Sequence, residues 1–114
     1  MTTTEQKLYT IIPRIGDLLV DIQSDSITSR TFYKGELMNA ILFGFDAGQE
    51  LSEHTSSKAV VLQIIEGEAT ITLGADVHKI TKGAWIQMPP HLKHSVYADT
   101  PLKMLLLMFD TPEH

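Results

Sequence analysis

The chain has 114 residues, 43% of them hydrophobic, and its 9 basic and 14 acidic side chains give a net charge of −5. That length supports one core and not two ordinary domains, and the acidic balance lacks the clustered Lys and Arg of a nucleic-acid footprint. The absence of cysteine excludes disulfides, thiolate nucleophiles, zinc-thiolate sites and iron-sulfur clusters.

The amino terminus, "MTTTEQKLYT", has no basic region followed by an apolar core. With no long apolar run elsewhere, neither a signal peptide nor a membrane span is expected, and the cytoplasm is the expected location. "RIGDLLVDIQ" (14–23) sets Ile15, Leu18, Leu19 and Ile22 at helical spacing just behind Pro13, which predicts a short helix on the outside of the fold. Residues 1–26 thus read as an extension and 27–114 as the body.

From Ile27 the pattern changes to short apolar or alternating runs broken by Gly, Pro, Asp and Asn, the mark of an all-β sandwich or barrel. "ITSRTFYK" (27–34) alternates, and "LMNAILFGFD" (37–46) is apolar on both sides, as a strand covered on both faces should be. "VVLQIIEG" (60–67) and "EATITLG" (68–74) read as a hairpin about Gly67. "VHKI" (77–80), "AWIQM" (84–88), "HSVYA" (94–98) and "LKMLLLMF" (102–109) continue the series. Eight or nine strands in so short a chain require closure or two packed sheets, because an open sheet of that size leaves edges exposed.

Between Gly48 and Tyr97 the residues resemble the cupin family. Its first motif runs glycine, five residues, His-x-His, three or four residues, glutamate, six residues, glycine. Gly48, His54 and Gly67 keep that frame, while Ser56 stands at the second histidine and Val60 or Val61 at the glutamate. In the second motif Gly83, Pro89 and His94 match; His91 replaces the inner glycine and Ala98 the final asparagine. The resemblance implies a double-stranded β-helix, a jelly-roll barrel, with His54 and His94 on facing strands at its mouth. Gly67 and Gly83 fall at turns where positive φ is needed, and His91 is expected to take positive φ in the glycine's place.

A first-row metal needs about three or more N or O ligands, so His54 and His94 require help. Period-two alternation puts Glu50, Ser52, His54 and Ser56 on one face, which makes Glu50 or His91 the candidate third ligand for Zn, Fe, Mn, Ni or Cu. Without metal, the same imidazoles line a polar pocket with Ser56, Gln63 and Met88. Gln63 is a lone amide in an apolar strand and must find partners or solvent; Trp85 reads as core or interface packing. Glu53 and His78 read as solvated residues. No "GxSxG" elbow and no glycine-rich phosphate loop is present.

Two functions follow from the resemblance. One is a barrel that binds a small polar organic molecule, such as a sugar acid or an aromatic acid, metal-free or with an incomplete metal site. The other is a metal-dependent enzyme of dioxygenase, isomerase or lyase type, with a divalent ion at His54 and His94. The apolar runs at 37–46 and 102–109 want cover on both faces, and a homodimer, common among single-domain cupins, would supply it.

Overall fold

The computed structural model describes residues 8–110. Nine strands follow the alternating runs: β1 (Ile27–Lys34), β2 (Met38–Phe45), β3 (Glu50–His54), β4 (Ala59–Glu66), β5 (Glu68–Leu73), β6 (Asp76–Thr81), β7 (Trp85–Met88), β8 (His94–Ala98) and β9 (Leu102–Phe109). They form a five-stranded sheet in the order β1-β2-β9-β4-β7 and a four-stranded sheet in the order β3-β8-β5-β6. Every pairing within both sheets is antiparallel. Short connections carry the chain from one sheet to the other, so that β2 lies over β3, β9 over β8, β4 over β5 and β7 over β6, as in a jelly roll.

Alternate residues of the two sheets meet between them. Phe45, Leu62, Ile64, Ile71, Met88, Val96, Leu102 and Met104 are at most 1% exposed and belong to one cluster, which supplies the main hydrophobic stabilisation of the fold. Gly67 (φ 94) and Gly83 (φ 92) turn the chain at the positions the motif assigns them, and His91 takes φ 70.

The segment 14–23 differs from its expectation. Only Ile15–Leu18 is helical, as a single 3-10 turn, and its Arg14 N-cap makes no side-chain cap. Ten residues are too few to hold an isolated α-helix, and tertiary contacts take over the backbone. Lys103 Nζ donates to the Gly16 carbonyl at 2.9 Å, and Arg30 donates to the Leu18 carbonyl at 3.1 Å. The apolar residues that suggested the helix are nonetheless the ones that dock. Ile15, Leu18, Leu19 and Ile22 are half-buried, and a methyl added at Gly44 would stand 3.3 Å from both Leu19 and Ile22. The segment is therefore a strap across the outer face of the five-stranded sheet, which helps bury Ala40 and Leu42 from the side away from the core.

Lys103 also pairs with Glu66 at 3.1 Å, and its side chain is only 14% exposed. Lys103→Met keeps the aliphatic stem and removes both polar contacts. We expect a loss of about 1.5–3 kcal/mol, the range for a hydrogen bond to a charged group, with amide exchange accelerated at residues 15–19 and not in β8. Unchanged exchange in the strap would show that the apolar contacts alone hold it.

Candidate functional site

His54 ends β3 and His94 begins β8, and the two are direct partners across the sheet. Their ring centroids lie 4.2 Å apart with an edge-to-face tilt of 60°. His94 is 5% exposed, whereas His54 is open to solvent, so the pair forms a wall running from the interior to the surface. His54 Nδ1 lies 2.7 Å from the Ser52 carbonyl and His94 Nδ1 2.9 Å from the Leu92 carbonyl. A carbonyl oxygen only accepts, so Nδ1 carries the proton in each ring. Among the described residues neither Nε2 takes a hydrogen bond, which leaves both to whatever enters. Neutral, each takes a bond from a hydroxyl, an N–H or a cation; protonated, it donates to a carboxylate or carbonyl.

A β-bulge creates this pairing. Leu51 lies opposite Val96, but His54 lies opposite His94, so β3 carries one residue more than β8 over this interval. Val96 points inward and is 1% exposed, and Leu51 packs on the core beside it. The bulge lets His54 point inward as well. Strict alternation fails here, which corrects the expected common face: Glu50, opposite the exposed Tyr97, lies on the outer face of the sheet, away from the imidazoles.

The remaining candidates separate. Ser56 and His91 sit in the loops that rim the mouth, where the His91 N–H donates to the Ser56 carbonyl at 2.7 Å. The Ser56 hydroxyl oxygen accepts from the Lys58 N–H at 3.1 Å, and the His91 side chain is exposed. An ion pair between Lys58 and Asp110 fastens the same rim to the end of β9. Met88 is buried on the inner face. Gln63 is not: Leu62 and Ile64 point into the core, and Gln63 lies outward between Trp85 and Leu105. Trp85 beside it is 62% exposed rather than packed in the core.

Two inner-face residues escaped the sequence reading. Met108 is the cross-strand partner of both Asn39 and Val60, and Val60 is the partner of Met88. All four lie at the end of the barrel where β3 ends and β8 begins. Asn39 carries the one signal that was available, a lone amide in an apolar strand, the same signal that drew attention to Gln63. This end of the barrel thus brings two imidazoles together with one amide and with Val60, Met88, Met108 and Leu73, which belong to the core or pack against it.

A divalent ion of the kind the cupin resemblance implies does not fit this donor set. Among the described residues no group of three His, Cys, Asp or Glu side chains comes together as a metal site. The position of the motif's glutamate is taken on the inner face by Val60, 2% exposed.

The sequence profile of the AraC-like ligand binding domain family matches residues 40–113. An uncharacterized protein of Streptomyces coelicolor is 24% identical over 100 residues, 88% of this chain and 95% of that protein. Among solved structures, a cupin superfamily protein of Desulfitobacterium hafniense superposes with a TM-score of 0.80 at 19% identity, covering 93% of this chain and 94% of that one. A variant of the salicylate 1,2-dioxygenase of Pseudoaminobacter salicylatoxidans, solved with gentisate, gives 0.70 at 16% identity, with 73% of this chain aligned to only 25% of the dioxygenase. The barrel is a cupin barrel by these likenesses.

Proposed function

Because this chain belongs to the AraC-like ligand binding domain family, we propose that it binds a small polar organic molecule in the barrel mouth, through His54 and His94. The observation that carries this reading is the pair of Nδ1 bonds to the Ser52 and Leu92 carbonyls, which fix two rings with both Nε2 atoms free for an incoming group. A few polar groups set among apolar ones are the usual make-up of a small-molecule site. The lining of Val60, Leu73, Met88 and Met108 favours a ligand with an apolar body, and the imidazoles favour one bearing hydroxyl or carboxyl groups. Small aromatic acids meet both demands. Salicylate and gentisate are the first to try, because a fold neighbour was solved with gentisate.

The test is calorimetric titration of metal-free protein with a panel of aromatic and sugar acids. Binding by the parent chain that is lost when both histidines become alanine supports the reading. Binding that survives the double change, or no binding anywhere in the panel, overturns it. A metal-dependent enzyme has less support: two imidazoles leave most of a divalent ion's coordination sphere to water.

We propose further that residues 27–114 act as the binding barrel and that the chain forms a homodimer. The strap leaves part of the outer face uncovered, as an open groove of about 420 Å³ lined by Ile12, Ile15, Phe32, Met38 and Leu107 among others. Leu37, beside it, is 80% exposed. Sedimentation is expected to give a dimer at micromolar concentration that Leu107→Asp disperses, since a charge buried in an apolar contact is costly. A monomeric parent chain would count against it.

A further inference from the structure

We infer that two copies of the chain hold each other through the segment 8–12, with Tyr9 and Ile11 of one copy entering a recess on the outer face of the other's five-stranded sheet. The inference rests on the homodimer proposed above and names the parts that make it. The segment supplies the projection. Residues 9–12 belong to no helix or strand, and they alternate: Thr10 and Ile12 line the groove against their own sheet, whereas Tyr9 and Ile11 are 72% and 74% exposed and Leu8 is 96% exposed. Apolar side chains scattered singly over a surface call for no partner, but three within four residues make a patch.

Tyr33, Glu36, Leu37, Met38 and Phe109 line the recess, an open groove of about 640 Å³. It adjoins the groove beside the strap, because Tyr33 and Met38 line both. Neither Tyr9 nor Ile11 lines it, so the chain's own projection leaves its own recess open. Projection and recess thus share one face of the molecule, and this decides the occupant. Each copy offers the other what its own face lacks, and a two-fold axis satisfies both at once and closes the assembly at two. Charge agrees. Arg14, just beyond the projection, and Glu36, in the recess, are both exposed, and among the described residues neither enters an ion pair. The exchange sets the guanidinium of one copy toward the carboxylate of the other.

The chain has no cysteine, so introduced thiols report on one contact at a time. Ile11→Cys and Leu37→Cys are made as separate variants, unfolded and refolded together, and oxidised with diamide. A chain carrying Val77→Cys, exposed on β6 in the other sheet, replaces the Leu37→Cys chain as the collision control. The expected result is a disulfide between the Ile11→Cys and Leu37→Cys chains that forms at least about 10-fold faster than with the control, because the contact raises the effective concentration of the two thiols. Ile11→Ser, at an exposed position, should raise the dimer dissociation constant about 10-fold or more, the worth of one buried aliphatic side chain. A cross-link no faster than the control, a bridge closed within one chain when both substitutions are placed on it, or a dissociation constant unchanged by Ile11→Ser would each overturn the inference. Sedimentation of the same mixture tells the failures apart: dimers without the cross-link remove the exchange and leave the homodimer standing, whereas monomers remove both.

Discussion

Gly67→Ala is expected to cost about 2–5 kcal/mol, a large share of the margin of a small domain whose stability is typically about 5–15 kcal/mol. Two terms combine. At φ 94 an L-residue pays about 1–2 kcal/mol for the left-handed conformation. An added methyl would also run into the Pro101 carbonyl and stand 2.9 Å from the Thr100 hydroxyl and 3.1 Å from the Leu102 Cα. Two of these three neighbours are backbone, which cannot rotate aside, so forcing space for the methyl adds overpacking of about 1–3 kcal/mol. Gly83 supplies the control. Its φ is 92, nearly the same, but nothing lies within 4 Å of a methyl placed there, so Gly83→Ala should lose only the conformational term. Urea denaturation of the two variants measures the difference; equal midpoints would show that the 99–101 turn yields and that close approach is not what excludes a side chain at 67.

Loss of both imidazoles is the second large effect. If the Nε2 atoms of His54 and His94 hold the ligand, removing one ring removes a hydrogen bond to a polar or charged group, worth about 1.5–3 kcal/mol, or roughly 10- to 150-fold in affinity. The rings touch, so the two losses should not simply add; the first substitution already frees the second ring to shift. His94→Ala is expected to be the more damaging, because His94 is the buried member and its removal admits water beneath the ligand. His54→Ala leaves that floor in place. Gln63→Ala, on the opposite face of its sheet, should leave affinity unchanged. Calorimetry on metal-free protein, with thermal melts to confirm folding, separates these cases. Equal affinity for parent and double variant would remove the mouth from consideration as the site.

The sequence by itself determined the barrel. Alternation of period two, the turn glycines at 67 and 83 and the proline at 89 are local features, each set by the conformations its own few residues can adopt. For that reason the strands and the conformation of His91 were legible in the chain, and the meeting of His54 and His94 followed from the motif frame. The partition of side chains between the two faces was not. One extra residue in β3 turns Glu50 away from the histidines, and nothing in "ELSEH" announces it, because a bulge exists only with respect to the partner strand. Gln63 and Asn39 are both lone amides in apolar strands, yet one faces outward and the other inward; the distinction appears only when the opposite sheet defines which side is the interior. The strap failed as a helix for the same reason. Its apolar spacing was real, but the carbonyls of Gly16 and Leu18 are claimed by Lys103 and Arg30, strand residues outside the segment whose positions only the folded sheet fixes.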